Sequence, residues 1–389
     1  MHKTRFLTVA ALATLSAACL TQVGEAKHDG GTKVTGDAGP PGDPTANTAN
    51  VDTLGTYNTA SPEKGGYRDI ASHPGCSTDG LDARAASSYV PAQIPGYKCA
   101  AKDYGGTEDM SKPIVVLVHG NSDTPAAYEK FTSPDAPAEA QQMKMLSERL
   151  VEAGFKTFAV DGRYDKVDDP SDKTTGNPAK NMDHGWYVPI VQHFLESVFA
   201  AYPNRKVSIV AHSLGPTVVR DALRRLHRTG KAPFSHIKDL VFASGAHHGV
   251  KSARDLCGVN TTMRGRVACE LGDRTSYQLT DFAQPNNGVD GAFETPCADG
   301  SSAYGQSNVC GGNKVRYTTI TMQDPKDGTF QDEFVNEGSA ALKGANNLTV
   351  TLNDTDPTLY FYKGLFKSHF GSLRSENGLK QVMGVLTSN

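Results

Sequence analysis

The chain has 389 residues, of which 38% are hydrophobic, so it is long enough to bury the core of one large domain. Its formal net charge is −3, and this lack of a basic excess argues against binding to nucleic acid or to an anionic lipid surface. The composition therefore favours a neutral partner or substrate.

Residues 1–19 have the pattern of an export signal. Two basic residues near the start precede an apolar run from Phe6 to Leu15. A helix of that length is too short to cross a bilayer core of about 30 Å, so the run predicts a signal peptide and not a membrane span. We therefore expect an exported protein.

Cys19 ends a segment, Leu15-Ser16-Ala17-Ala18-Cys19, that is similar to a bacterial lipobox. The leucine that a lipobox carries three places before the cysteine is replaced by Ser16, and this departure leaves two alternatives. Either Cys19 is lipidated and anchors the protein to the outer membrane or cell surface, or a signal peptidase cleaves after Ala18 or Ala26 and the protein is freely secreted.

Residues 20–66 are rich in Gly, Pro, Asp, Thr and Asn and have no apolar pattern, so we expect a disordered linker before a single folded domain over 67–389. Six cysteines in that domain suggest up to three disulfides in an exported protein. The short separation of Cys76 and Cys99 predicts that these two pair. The others are then expected to pair among themselves: Cys257, Cys269, Cys297 and Cys310.

From residue 113 onward, strand patterns alternate with helix patterns, which is typical of a mostly parallel sheet with helices on both faces. The apolar, largely β-branched run Ile114–Val118 predicts a buried central strand. Further strands are predicted at 155–160, 207–211, 240–244 and 317–322, and helices at 138–153, 187–202, 214–228 and 376–386.

About seventy residues separate the last two predicted strands, and they are dense in Gly, Asn and Asp and hold four cysteines. A loop of that length without structure of its own is uncommon in a compact domain. We therefore expect a disulfide-rich cap insertion over about 250–315, beside the functional site. The alternative is a surface excursion that takes no part in binding.

The segment Ala211-His212-Ser213-Leu214-Gly215 lies between a predicted strand and an amphipathic helix. That setting is typical of a nucleophile elbow, a sharp turn that strains the serine backbone and admits only small residues two places to either side. Ala211 and Gly215 meet this requirement. We therefore predict Ser213 as a nucleophile, with an ordinary turn serine as the alternative, and expect His212 to pack beside the elbow.

If this serine attacks an acyl group, the reaction also needs N–H donors for the oxyanion that forms in the transition state. The N–H of Leu214, at the positive end of the following helix, is predicted to supply one. The loop after the first central strand carries His119-Gly120-Asn121, and in related hydrolases a His-Gly pair shapes this loop. We expect the N–H of Asn121 to complete the oxyanion hole, with His119 and Gly120 in supporting roles.

Three successive motifs resemble those of the class 2 lipases: Val116-Leu117-Val118-His119-Gly120-Asn121-Ser122-Asp123, Val210-Ala211-His212-Ser213-Leu214-Gly215 and Gly245-Ala246-His247-His248-Gly249. Their order is also similar to that of a lipase-like extracellular polyhydroxybutyrate depolymerase. The resemblance covers about residues 110–250 well. It implies an α/β-hydrolase fold and ester hydrolysis by a Ser-His-Asp triad.

In this fold the triad residues follow one another in the order Ser, Asp, His. The loop after the last predicted strand offers Asp324 and Asp327, and the spacing in the resembling families favours Asp327, with Asp324 and Asp332 as alternatives. His369 is the one histidine of the sequence after these acids, in a stretch that resembles the late histidine loop of lipases. The predicted triad is Ser213, Asp327 and His369.

The predicted reaction is attack by Ser213 on an acyl ester, followed by hydrolysis of the acyl-enzyme with His369 as base and then acid. A lipase or carboxylesterase is the first expectation. The alternatives are a depolymerase of a polyester such as polyhydroxyalkanoate and, in another class, a non-catalytic surface lipoprotein on a hydrolase scaffold. No cofactor or metal is expected, because His247-His248 lacks nearby ligands and the acidic residues over 161–172 fit a solvated loop.

Overall fold

The computed structural model describes residues 93–97, 99, 101–121, 123–131, 134, 136–162, 184–228, 230–247, 250, 312–335, 337–342, 344–359 and 366–388. The predicted signal peptide, the linker, Cys76 and residues 251–311 of the predicted cap lie outside these ranges. The lipidation of Cys19, the disulfide pairing and the cap therefore stay predictions. Cys99 is described and is buried.

A mostly parallel sheet of eight strands forms the centre of the described structure. Its order is β1-β3-β2-β4-β5-β6, and both β7 and β8 pair with β6. The contacts of β1 with β3 and of β7 with β6 are antiparallel, and the other pairs are parallel. The strands are β1 (Ala101–Asp103), β2 (Ile114–Val118), β3 (Thr157–Val160), β4 (Val207–His212), β5 (Ile237–Ala243), β6 (Arg316–Gln323), β7 (Phe330–Gln331) and β8 (Asn346–Thr351).

Seven α-helices are present in the described ranges: α1 (Ala138–Gln142), α2 (Leu146–Glu152), α3 (His184–Ala201), α4 (Gly215–Arg228), α5 (Glu337–Ala340), α6 (Lys367–Arg374) and α7 (Glu376–Thr387). Short 3-10 helices occur at Pro125–Tyr128 and Pro233–Ser235. Within those ranges, no helix combines the length and the apolar character needed to span a membrane.

The sheet separates two hydrophobic cores, one on each face. In β2, Ile114, Val116 and Val118 enter the core that includes side chains of α3 and α4, whereas Val115 and Leu117 enter the core with side chains of α2, α6 and α7. Successive strand residues point to opposite faces, so a strand covered on both sides must be apolar throughout. The predicted α/β class, with helices on both faces of a mostly parallel sheet, is confirmed.

The predicted helix over 138–153 is divided in two by an extended backbone at Met143 and Met145. The second helix begins there because the N–H of Met145 donates to the side chain of Glu148, which satisfies a group that the helix leaves free. The edge strand β8 (Asn346–Thr351) is not predicted from the sequence, because it is largely exposed and its polar residues lack the apolar pattern of the central strands.

Candidate active site

Ser213 occupies a strained turn at the end of β4. Its φ of 60° lies in the left-handed region, and α4 begins two residues later at Gly215. The N–H of Ser213 donates to the carbonyl of Ala243 over 3.0 Å, and the Ser213 carbonyl accepts from the N–H of Ala246 over 3.2 Å. The residue remains partly exposed. The loop after β5 thus holds a backbone conformation that costs about 1–3 kcal/mol.

Two glycines leave room for this turn. A Cβ added at Gly215 would lie 2.5 Å from the carbonyl oxygen of Val118, and one added at Gly120 would lie 2.7 Å from Cβ of Ser213. Since real Cβ atoms do not approach other atoms so closely, neither position accepts a larger residue without movement of the backbone. The loop after β2 therefore lies directly against the serine.

His119 shapes that loop and is fully buried. Its Nε2 accepts from the N–H of Gly162 at 3.1 Å, so Nδ1 carries the proton and donates to the carbonyl of Gly120 at 2.9 Å. The ring stacks on Tyr187, whose hydroxyl donates to the His119 carbonyl. These contacts fit the supporting role predicted for His119 and not the role of a base.

Of the two residues predicted to supply oxyanion donors, Leu214 follows Ser213 directly and Asn121 lies in the loop that contacts it. Leu214 is buried and precedes the first turn of α4, where its carbonyl accepts from Thr217 and Val218. Asn121 follows Gly120 in the loop that contacts Ser213, and its Oδ1 is buried and has no hydrogen-bond donor in the described structure. Both main-chain amides therefore belong to segments that contact or adjoin the serine.

His369 lies in α6 and pairs with Asp332. Its Nδ1 is 2.9 Å from Oδ1 and 3.0 Å from Oδ2 of this carboxylate. The side chains are only 4% and 2% exposed, so the pair is shielded from water. The sequence predicts His369 in a loop, whereas in the structure it occupies the first turn of a helix.

The carboxylate that contacts His369 is that of Asp332, whereas the sequence predicts Asp327 in this place. Asp327 instead accepts from the N–H and hydroxyl of Thr329, and Asp324 accepts from the N–H of Lys326. Both lie in the tight turn between β6 and β7. The predicted contact between Asp327 and His369 is not formed, because β7 returns the chain before the carboxylate that reaches the histidine.

The position of β7 explains why Asp332 follows the end of the sheet at this place. The last pair between β5 and β6 joins Ala243 to Ile320, so β6 extends beyond β5. β7 pairs with Met322 and Gln323 in that extension, while β8 pairs with the same two residues. Because a strand has two edges, β7 must occupy the edge that β5 leaves free. Because β7 is antiparallel to β6, Asp332 follows a strand that returns along β6 toward the end of β5.

The surroundings of the pair favour its charged form. Burial opposes a charge on His369, but the attraction and hydrogen bond of Asp332, with smaller effects of Glu333 and Asp123, raise the pKa of His369. Burial would likewise raise the pKa of Asp332, but the charge of His369 and the hydrogen bonds that Asp332 accepts lower it. Asp332 thus stays ionised beside the imidazole.

His212 connects the elbow to α6, which carries His369 and is called the histidine helix below. Its Nε2 donates to the carbonyl of His369 at 2.9 Å, and the two ring centroids are 4.7 Å apart. Burial is the main reason that the pKa of His212 falls to about 3, so the ring is neutral. The hydroxyl of Ser372 donates to the same carbonyl and shares a hydrogen bond with Ser244. No sequence pattern predicts these contacts.

Three aromatic side chains surround His369, and we call them the aromatic rim: Phe334, Phe366 and Phe370. The ring of Phe334 is 4.9 Å from both His369 and Phe366, and Phe370 lies 5.5 Å from His369. Phe334 is 39% exposed, whereas the other two are buried. The rim therefore offers an apolar surface beside the imidazole.

In the described ranges, no group of three or more His, Cys, Asp or Glu side chains fits a metal ion. His247 packs 5.2 Å from the ring of Phe242 and against Gly245. His248 and residues 163–172 lie outside the described residues.

The family model for lipases of class 2 matches residues 111–340 of the chain, which is more than half of its length. The chain belongs to the class 2 lipase family. The predicted family and the α/β-hydrolase fold are thus confirmed, and with them the general class of lipase and esterase hydrolases. The matched range includes Ser213 and Asp332 and ends before His369.

The class 2 lipase is also similar to solved hydrolase structures. The mature form of lipase BlEst2 from Bacillus licheniformis is 19% identical, with a TM-score of 0.44 over 76% of this chain and 99% of that one. A monoglyceride lipase of Saccharomyces cerevisiae is 12% identical, with a TM-score of 0.42 over 78% and 94% of the two chains. An esterase from Pyrobaculum calidifontis is 15% identical, with a TM-score of 0.39 over 78% and 84%. None of the curated proteins matches the sequence.

Proposed function

We propose that the protein hydrolyses carboxylic esters with Ser213 as nucleophile, His369 as general base and Asp332 as the acid of the triad. The observation that carries this proposal is the buried Asp332–His369 pair, which lies at the same end of the sheet as the strained serine. The hydrogen bond from His212, the neighbour of Ser213, to the main chain of His369 supports this assignment.

In the proposed first step, Nε2 of His369 takes the proton of the Ser213 hydroxyl as Oγ bonds to the ester carbonyl carbon. The N–H groups of Leu214 and Asn121 receive the negative charge that develops on the carbonyl oxygen. The tetrahedral intermediate then breaks its bond to the alcohol, which leaves with the proton held by His369. Water repeats the sequence on the acyl-enzyme and releases the carboxylic acid and Ser213.

Asp332 has two tasks in this scheme. By accepting a hydrogen bond from the N–H at Nδ1 of His369, it leaves Nε2 as the basic nitrogen of the neutral ring. Its negative charge also stabilises the imidazolium that forms when the serine is deprotonated. The main-chain amides of Phe334 and Val335 each donate to Oδ1 at 2.8 Å, so the carboxylate is held in place for both tasks.

The aromatic rim favours an ester with an apolar group next to the reacting carbon, as in a lipase or carboxylesterase. Hydrolysis rates on p-nitrophenyl esters of increasing chain length would define the acyl preference. Clearing of emulsified tributyrin against clearing of polyhydroxybutyrate granules separates the acylglycerol proposal from the polyester alternative. Activity on granules alone would reject the acylglycerol proposal.

A fluorophosphonate probe tests the proposed nucleophile. We expect stoichiometric labelling of the wild type and none of Ser213→Ala, whose kcat should fall at least about 10⁴-fold. Ser235→Ala, in the 3-10 helix Pro233–Ser235, is a control that should label like the wild type. Labelling that persists in Ser213→Ala would reject the proposed mechanism, and a wild type that never labels would favour a non-catalytic lipoprotein.

We also propose that the protein is exported and carries a lipid on Cys19. The support is the sequence pattern alone: basic residues, a short apolar run and a segment similar to a lipobox. Labelling of cells with radioactive palmitate should mark the protein, and Cys19→Ser should abolish the label. An unlabelled protein in the medium would support free secretion instead.

A further inference from the structure

Glu333 follows the proposed triad acid and binds the main chain of the histidine helix. Its Oε1 accepts from the N–H of Ser368 at 3.0 Å, and its Oε2 accepts from the N–H of His369 at 2.7 Å. The first N–H groups of a helix have no partner within the helix. Phe366, at the N-cap of α6, offers no side-chain acceptor, so Glu333 supplies the cap from another segment.

Two consecutive carboxylates thus hold His369 from two sides. Asp332 binds the imidazole, and Glu333 binds the peptide N–H of the same residue. The amides of Phe334 and Val335 fix Asp332 in turn. A shift of α6 relative to this short segment would therefore change the distance between the imidazole and its carboxylate.

We propose that Glu333 is a positioning residue that fixes the main chain of His369 and thereby orients its imidazole between Asp332 and Ser213. This inference rests on the proposed function of the triad. Glu333 is not a catalytic residue in this account, because it contacts the peptide amides of α6 and neither the substrate nor the reacting atoms. A misplacement of about 1 Å at such a position can cost about 100-fold in rate.

The charge of Glu333 gives a second, separable signal. Burial opposes a charge on His369, but the nearby carboxylates of Asp332, Glu333 and Asp123 raise its pKa, whereas the neighbouring His212 is neutral. Loss of one negative charge should lower this pKa. Since the reaction needs the neutral imidazole, the acid limb of kcat/KM should then move to lower pH.

The experiment compares Glu333→Ala and Glu333→Gln in the full-length enzyme. Alanine removes both acceptor and charge, so we expect kcat to fall about 10-fold with KM changed less than about twofold. Glutamine keeps an acceptor oxygen without the charge, so it should recover most of kcat. Both variants should move the acid limb to lower pH by about half a unit.

Asp356→Asn is the matched control. Asp356 accepts from the N–H of Glu376 at the start of α7, so it caps a neighbouring helix without contact to His369. We expect the control to keep the pH profile of the wild type. If Glu333→Ala fails to fold, the pH profile of Glu333→Gln carries the test.

Two results would overturn the inference: an unchanged kcat and acid limb in the Glu333 variants, or equal changes in Asp356→Asn. These results are distinct from a failure of the proposed function. If the proposed function were wrong, Ser213→Ala and Asp332→Asn would themselves retain activity.

Discussion

The two halves of the candidate site are built in different ways. The elbow region, residues 207–228, is a strand, a turn and a helix that follow one another directly. The acid-histidine region, residues 316–335 and 366–375, joins Asp332 to His369, which are 37 positions apart in the sequence. This contact depends on the antiparallel pairing of β7 with β6. Local sequence therefore specifies the turn that holds the proposed nucleophile, whereas tertiary contacts specify the pairing of its proposed partners.

The difference also appears in how each region is stabilised. Ser213 adopts a strained φ that surrounding main-chain bonds maintain, and Gly120 and Gly215 leave the space that this requires. In the acid-histidine region, the carboxylates of Asp332 and Glu333 are satisfied by hydrogen bonds from amides and the imidazole. The elbow region should therefore be sensitive to substitutions that add volume. The acid-histidine region should be sensitive to substitutions that remove a hydrogen-bond donor or acceptor.

The largest expected effect distinguishes the two candidate acids. Asp332→Asn should lower kcat about 10⁴-fold, because an amide cannot stabilise the imidazolium or fix the required tautomer. Asp327→Asn should keep kcat within about threefold of the wild type, since Asp327 closes a turn with Thr329 and the carboxylate beside His369 is that of Asp332. Steady-state kinetics on a soluble ester measure both. The opposite result would restore Asp327 as the acid and break the proposed dependence on β7.

The sequence predicts much of the fold because the central strands and their helices have clear periodicity. The strained turn at Ser213 was predictable for the same reason, because a strand, a turn and a helix follow one another in the local sequence. The carboxylate beside His369 was not, because nothing near Asp332 marks β7 as a strand, and two residues of β pairing place that carboxylate beyond the turn that contains Asp324 and Asp327. The helical position of His369 was missed for a similar reason, since its N-terminal cap comes from Glu333, distant in sequence.

The second prediction concerns space in the elbow region. Gly215→Ala places a Cβ 2.5 Å from the carbonyl oxygen of Val118, so α4 must move away from β2. We expect kcat to fall about 100-fold, because such a shift displaces the serine and the amide of Leu214. Gly384→Ala in α7 is the control: nothing lies within 4 Å of its added Cβ, and it should stabilise the fold by about 0.5–1 kcal/mol. Wild-type kcat in Gly215→Ala would show that the turn tolerates expansion.

The third prediction tests the contact between the histidine helix and the loop after β2. The buried guanidinium of Arg374 donates to the carbonyls of Ala126, Ala127 and Glu129 and lies 4.5 Å from the ring centroid of Phe131. Lysine keeps the charge but cannot reproduce this planar arrangement, so Arg374→Lys should lower the free energy of unfolding by about 2 kcal/mol.

Arg149→Lys provides the comparison for denaturant unfolding of Arg374→Lys. Arg149 pairs with Glu376 near the surface, with side chains 20% and 34% exposed, so its replacement should cost less than about 1 kcal/mol. Equal losses in the two variants would mean that Arg374 contributes no more than a surface ion pair.

The smallest expected effect concerns His212, the hydrogen-bond link between the two regions. Its pKa is about 3 in the folded protein against 6.5 as its ordinary value, so the unfolded chain binds a proton that the folded state excludes. Stability should therefore fall as the pH drops below 6.5, by about 1 kcal/mol between pH 6.5 and roughly pH 5.5. His369, whose pKa is raised, contributes stability that is already complete below 6.5, and Asp332, whose pKa is lowered, loses its contribution only in more acidic solution.

His212→Gln can still donate to the His369 carbonyl but does not titrate, so the free energy of unfolding of this variant, measured with denaturant, should lose most of that pH dependence. If the variant loses as much stability as the wild type over this pH range, acid destabilises the protein at another group. The hydrogen bond from His212 to the His369 carbonyl would then be insensitive to pH over this range.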